Sequence, residues 1–348
     1  FYALWPNARI AFTHLVSAQH KLGLSYLLAS LVRHSPLLDL GSFQKAYPLD
    51  DSSVSEYAQT HLSNDVLEYL LQPPLSGIFY WTPERTSRAL LMLVLRAGIS
   101  HLTGLRLFTL RGGIGQLPQT MAADLDVRLG MPVSLVEPGP TGGYQVHLAN
   151  GQILTADRVI CATTASVVPR LLPWLGEAGL RPFREVRYSA TALLATGTRG
   201  RLPREFYGLL FPRRETPFLA SATIQAVKSP FATPRGRDTL ALHLSGPAMV
   251  GLHRYDDETL AQLMLSELRR LVPRYDPTPR ALWQQIYRCP EALPEFDVGH
   301  FRRIAKVIEG EIGPPGIDFA GDYLGGPYVE GAILSGEAAA ERILRVMV

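Results

Sequence analysis

The sequence predicts an α/β chain, α+β overall, in which a terminal strand, turn and helix join a mixed helical and antiparallel-sheet region. Three observations carry this. Near the C-terminus a short apolar run, Ile317 to Ala320, reads as a buried strand. It is followed by Gly321-Asp322, a Gly-Gly-Pro loop and a helix expected from about Val329 towards Val348. Between Pro169 and Trp283, strand-like runs alternate with Pro- and Gly-rich turns. Ahead of both, the residues before 108 read mostly as helices.

Composition sets the outer limits. A chain of 348 residues can bury a substantial core in two domains, and 47% hydrophobic with 19% charged residues describes a globular protein. The net charge of +3 comes from scattered arginines, so no nucleic-acid partner is expected. Two cysteines, Cys161 and Cys289, cannot form a disulfide framework; reduced thiols in a cytoplasmic protein are expected, and no metal site. No secretory signal pattern is legible at the start.

Taken in order, residues Thr13 to Leu40 read as helical, with Leu15, Ala18, Leu22, Tyr26, Ala29 and Val32 on one stripe. The apolar run Leu22 to Val32 is shorter than the roughly twenty residues a membrane span needs. Ser53-Val54-Ser55-Glu56 is a capping box. A second helix is expected from about Asn64 to Leu71, stopped at Pro73-Pro74, and a third from about Thr86 to Ala97. At Phe108 the character changes: Arg111-Gly112-Gly113-Ile114-Gly115 is a glycine turn leading to a helix from about Leu117 to Arg128.

Val133 to Val136 reads as a strand. Tyr144, Val146 and Leu148 alternate with polar residues, Asn150-Gly151 signals a type I′ hairpin, and Ala156 to Ala162 returns as a further strand. Runs at Tyr188–Leu194, Phe206–Phe211, Phe218–Ala226 and Thr239–Leu244 follow as strands. A helix over Asp257–Leu271 carries Leu260, Leu263, Met264, Leu268 and Leu271 on one face. Arg199, Arg201, Arg204, Arg213 and Arg214 could draw ligand carboxylates, although exposed turns carry such charges routinely. Gly299-His300 opens another helix, where a histidine caps or packs rather than reacts.

The terminal helix opens with small residues, Gly331, Ala332, Ser335 and Gly336, which let a bulky or planar group approach the backbone. A helix N-terminus offers unpaired N–H groups and about half a positive charge, suited to the anionic edge of a reduced flavin. This strand, Gly-Asp and small-residue helix resemble the C-terminal flavin signature of the amine oxidase superfamily. The helical block around Pro74-Leu75-Ser76-Gly77 and the runs Lys228 to Gly236 and Trp283 to His300 resemble its protoporphyrinogen oxidase-like branch.

The resemblance implies FAD as cofactor, held near the pyrophosphate by Asp322 after Gly321. It places Val329, Glu330, Gly331 and Ala332 at the flavin, the Gly112-Gly113 turn near its ring, Val133 on a strand meeting the adenine, and Ala162 and Trp283 close to the cofactor. It also implies an incomplete FAD-binding Rossmann-like domain, because the Gly-x-Gly-x-x-Gly unit that opens such domains has no match here. The expected division is 1–107 for the helical part of the substrate domain and 108–168 for the second FAD segment. Residues 169–289 are then the substrate sheet and 290–348 the last FAD segment. A piece of a longer enzyme is expected, inactive or weak by itself.

The implied chemistry is removal of hydride from a C–H bond by FAD, with porphyrinogen-type oxidation first. A carotenoid or squalene desaturase-like reaction comes second and amine oxidation third, because Lys21, Lys45, Lys228 and Lys306 do not fit the lysine that monoamine oxidases place near the flavin. No catalytic residue stands out. A reading from another class is a non-catalytic binding module derived from an oxidase. The implied partner is a hydrophobic or tetrapyrrole small molecule, with peripheral membrane contact in a cytoplasmic setting.

Overall fold

The computed structural model describes residues 14–17, 19–99 and 109–345. The opening Phe1 to Pro6, Thr13, Ala18, Phe108, Met347 and Val348 lie outside the described residues.

Leu22 to Val32 is apolar on almost every side, so periodicity alone does not choose its buried face. Helix α1 (Leu22–Arg33) buries Leu27, Ser30 and Leu31 and turns Tyr26 and Val32 outward, so the stripe expected through those two is not the packed one. The helix also starts at Leu22, not near Thr13. Helix α2 (Val54–His61) opens with the capping box: Ser53 Oγ accepts the Glu56 N–H at 3.1 Å, and the Glu56 carboxylate accepts the Ser53 N–H at 2.8 Å.

The Pro73-Pro74 stop is overridden. Leu67–Leu71 form a π turn and helix α3 (Gln72–Phe79) continues, with proline in its first turn. The wide turn accommodates prolines whose missing N–H groups would leave gaps in a regular ladder. Helix α3 ends at Tyr80, which has φ 61° and is the non-glycine with positive φ among the described residues. A left-handed backbone costs an L-residue about 1–2 kcal/mol. Gly246 packs so tightly on the Tyr80 carbonyl that a side chain there would collide. Helix α4 (Arg88–Ile99) completes the block, whose core joins Val54, Leu70, Trp81, Leu90 and Leu93 to Phe296 and Phe301 from the far end of the chain.

Helix α5 (Gln116–Met121) is shorter than expected. From 109 to 132 only Leu117, Ala122 and Met131 are partly covered, while Leu125 and Leu129 are 67% and 87% exposed. A short helix without a packed face propagates poorly. Strands β1 (Val133–Pro138), β2 (Tyr144–Leu148) and β3 (Ile153–Ala156) form an antiparallel meander. Its Asn150-Gly151 turn is not type I′. Gly151, at φ 87°, donates its N–H to the Leu148 carbonyl at 3.0 Å, while Asn150 keeps negative φ. This is a type I turn followed by a left-handed glycine, the usual alternative when the first turn residue resists positive φ. Strand β4 (Val159–Cys161) and helix α6 (Gly176–Arg184) follow.

Strands β5 (Arg187–Arg199), β6 (Gly208–Leu210), β7 (Leu219–Ile224), β8 (Arg237–Leu244) and β9 (Ala281–Glu295) form one antiparallel sheet in the order β6-β7-β8-β5-β9. Strand β9 has no clear sequence signal, because Pro290 and Pro294 interrupt it. An edge strand tolerates them, since the missing N–H groups face away from the ladder. It also runs across 289, where a division was expected. One sheet face, with Leu194, Leu242 and Ile286, is covered by Leu260, Met264 and Leu268 of helix α7 (Asp257–Leu271). Leu263, expected on that helix face, is 42% exposed; Leu265 is buried instead. The other face meets α3, where Ser221 Oγ donates to the Gly77 carbonyl at 2.8 Å and Ser189 Oγ to that of Phe79 at 3.1 Å.

Helix α8 (His300–Ile308), strand β10 (Ile317–Phe319) and helices α9 (Asp322–Gly325) and α10 (Val329–Arg345) end the described chain. Strand β10 pairs in parallel with β4, Phe319 opposite Cys161. Val136, Tyr144, Cys161, Phe183, Phe319, Tyr323 and Leu324 share one apolar core, with Val133 packed on it. Within it, the Arg342 guanidinium of α10 grips both oxygens of buried Asp318 at 2.7 and 2.9 Å. Replacing Arg342 by Met should strand that carboxylate and cost about 3–5 kcal/mol, read as a lower urea midpoint. The double change Asp318→Leu with Arg342→Met should recover most of the loss. An Arg342→Met midpoint equal to the parent's would show that the pair does not hold α10 to β10.

Candidate functional site

Parallel strands present their carboxyl ends on one side, where ligands of open α/β sheets sit. Here the Ala320 N–H donates to the Cys161 carbonyl at 3.1 Å, so Ala162 beyond β4 comes opposite Ala320, one residue before Gly321. Ser335 accepts the Gly321 N–H on its Oγ at 2.9 Å and ties the start of α10 to the same edge. Gly325 and Gly331 touch backbone to backbone, leaving no room for a side chain at either. Val329 and Glu330 are exposed on the first turn of α10, where N–H groups lack helical partners, and Ala332, whose N–H donates to the Tyr328 carbonyl at 3.1 Å, is exposed beside them. Ala162, Gly321, Asp322, Val329, Glu330, Gly331 and Ala332 thus converge.

The electrostatics of this edge are those of a desolvated polar cluster. Burial pushes the Asp322 carboxyl above the usual range, relieved by hydrogen bonds from the Tyr323 and Asp322 N–H groups. The Tyr188 hydroxyl accepts the Ala165 N–H at 2.8 Å, and burial, with Asp322 and Glu291 nearby, raises its pKa. The Tyr323 hydroxyl is buried without a partner. His300 is fully buried, and its Nε2–H donates to the Tyr323 carbonyl at 2.9 Å. Desolvation lowers its pKa to about 4, so it is neutral and packs.

Three of these observations fit a dinucleotide such as FAD: a glycine cradle, an orphaned hydroxyl and an acid beside an exposed helix N-terminus. Asp322, Gly321 and Ala162 would hold its chain, with the start of α10 beside the ring system. Tyr188 and Tyr323 were not legible as site residues, and Ser335 was read only as a small residue, not as a hydrogen-bond partner of Gly321. Only the packing of α9, α10 and β5 brings them to Asp322, though the position of Tyr323 next to the Gly-Asp pair was a signal within reach.

Other expected site residues lie elsewhere. Gly112 and Gly113 sit in an exposed turn at φ 85° and 94°. Beside them the Arg111 guanidinium lies 4.8 Å from the Phe231 ring centroid, and no hydrogen bond among the described residues links this turn to Asp322. Val133 pairs with Leu148 in the meander, on the core shared with β10. Trp283 pairs with Gly197, its ring covering the glycine; Tyr188 is nine residues away along β5, roughly 30 Å at the usual strand rise. Arg213 is paired with Glu68 and Glu84 and Arg214 with Asp65, so these two bind the fold's own acids.

Residues 11–344 match the family described as flavin containing amine oxidoreductase. The chain belongs to that family, a class of flavin-dependent oxidoreductases, and FAD, the cofactor implied by the sequence, agrees with it. Its relatives include protoporphyrinogen oxidase of Bos taurus, 25% identical over 97% of this chain and 80% of the relative. Another is coproporphyrinogen III oxidase of Bacillus subtilis (strain 168), 22% identical over 85% of this chain and 68% of the relative. Among solved structures, a putative protoporphyrinogen oxidase from Exiguobacterium sp. 255-15 has the same fold. Its TM-score is 0.72 at 23% identity, covering 96% of this chain and 73% of that one.

Asp322 gives a test with a definite sign. Its folded pKa lies above the ordinary 3.8, so the folded state holds the proton to a higher pH than the unfolded chain. Stability therefore falls as pH rises from about 3.8 through the folded value. Asp322→Asn should raise the urea midpoint at pH 7 and flatten that fall, while weakening FAD binding by about 1–3 kcal/mol. A variant that is less stable at pH 7 yet binds FAD as the parent does would contradict both parts.

Proposed function

We propose that this chain carries the substrate domain and part of the FAD domain of an oxidase that removes hydride from a porphyrinogen-type tetrapyrrole. The observation that carries the reading is the junction at Tyr188. There the strand that leads away from the Asp322 edge becomes an inner strand of a broad sheet with one face not covered by α7. A bound flavin supplies hydride acceptance from carbon. The chain's own part is to hold and exclude: Asp322 and Gly321 take the cofactor chain, and the start of α10 lies against its anionic edge. On β5 and β9, Leu193, Ala195, Gly197, Trp283, Gln285 and Tyr287 alternate onto the sheet face turned away from α7, a mainly apolar and aromatic floor for a flat substrate.

The division into 1–107, 108–168, 169–289 and 290–348 belongs to the same reading, supported by the core that Val136, Cys161 and Phe319 share. So does a cytoplasmic setting with peripheral membrane contact, supported by two free cysteines and by Tyr26, Leu28 and Val32, exposed on α1. Among the described residues no helix is long and apolar enough to cross a membrane.

The test is to supply FAD in excess and follow two signals, flavin absorbance near about 450 nm and porphyrin fluorescence from protoporphyrinogen or coproporphyrinogen. Flavin-dependent porphyrin formation above the autoxidation control is expected, and putrescine should leave the flavin oxidised. Flavin bleached by putrescine but not by a porphyrinogen would move the substrate to amines. Absence of any bound flavin would favour a non-catalytic module.

A further inference from the structure

On the sheet face turned away from α7, one cross-strand row reads Ser221, His243, Leu193, Tyr287. His243 is the titratable member of this row nearest the sheet centre. Its Nδ1 lies 2.9 Å from the Tyr80 hydroxyl, and the two rings stack with centroids 5.7 Å apart. Tyr80 is the residue with the left-handed backbone, so α3 stops there and lays the phenol onto the sheet. Gly246, against its carbonyl, leaves that backbone no room to relax.

One imidazole tautomer, with Nδ1 unprotonated, gives the Tyr80 phenol an acceptor. Burial pushes the Tyr80 pKa up to about 12, so the phenol keeps its proton and needs an acceptor. Among the described residues that acceptor is His243 Nδ1. Desolvation, with the Lys228 charge nearby, pushes His243 down to about 4, so the ring is neutral and its proton sits on Nε2. No group among the described residues accepts that Nε2–H, and Lys228 forms no ion pair among them. A fixed N–H donor on an apolar floor, within the field of an unpaired ammonium, is matched by an anionic oxygen.

We propose that His243, set in one tautomer by Tyr80, donates its Nε2–H to a carboxylate of a flat, apolar acid lying on this sheet face. The ligand class rests on the porphyrinogen reading above. His243 is then a specificity-determining residue that touches the ligand, and Tyr80 a positioning residue that acts through it.

The test compares protoporphyrin IX with its dimethyl ester, titrated by fluorescence against the full chain. The parent should prefer the free acid by about tenfold, the worth of one good hydrogen bond to a charged acceptor. His243→Leu should remove that preference and leave ester binding unchanged. His243→Gln, whose amide still offers an N–H, should keep it to within about threefold. Tyr80→Phe should reduce it by about threefold, again with ester binding unchanged, which a merely structural defect would not spare. A His243→Leu variant that still prefers the acid overturns the assignment, as does equal loss of acid and ester. A parent that binds both forms equally overturns the carboxylate contact alone. A parent that binds neither removes the porphyrinogen reading and this inference with it.

Discussion

Three residues of parallel pairing, Val159–Cys161 against Ile317–Phe319, hold this structure's functional edge together. Parallel strands cannot be joined by a tight turn, so their pairing is paid for in loop-closure entropy by a long excursion of chain. Here the excursion contains the whole five-stranded sheet. The pairing is kept by burial of one face, with Phe319, Ile317 and Cys161 inside the core that Phe183 and Tyr323 complete. It is kept as well by Arg342, which neutralises Asp318 where an acid would otherwise oppose a buried strand. If this pairing slipped by one residue, Ala162 would no longer come opposite Ala320, and every side chain of β10 would change face.

The polar groups that depend on this edge are costly ones. Asp322, Tyr188 and Tyr323 are all desolvated with too few partners, while His300 is fully buried and neutral. A fold selected only for stability would not gather them. Unsatisfied groups at the carboxyl ends of parallel strands, next to glycines that leave space, are what a bound polar cofactor would relieve. The strained Tyr80 backbone is the same kind of feature at a second place, and it too points to a function for the free sheet face.

Where local chemistry decides, the sequence was read closely. The capping box at Ser53, the helix bounds of Asp257–Leu271 and the strand at Ile317 all depend on contacts within a few residues. The errors share one cause. The face of α1 and the passage of Pro73-Pro74 through a π turn were chosen by distant partners, and the left-handed glycine after Asn150 by the strands it joins. Those partners are the block core for α1, and the fit of α3 onto the face of β7 for the prolines. For the hairpin it is the register of β2 with β3. Strand β9 was hidden for the same reason, since only its position at the sheet edge makes its prolines acceptable.

By itself the sequence determined the kinds of elements, the glycine-acid turn before a small-residue helix and, through that turn, the flavin class. These are written in neighbours along the chain, where spacing and backbone freedom act directly. Tertiary structure alone decided that Ala162 comes opposite Ala320, that Tyr188 lies near Asp322 while Trp283 lies far along the same sheet, and that Tyr80 meets His243. Each of these joins residues separated by long stretches of chain, and such contacts leave no periodic trace. They exist because the apolar faces of the elements could be buried together in only this arrangement.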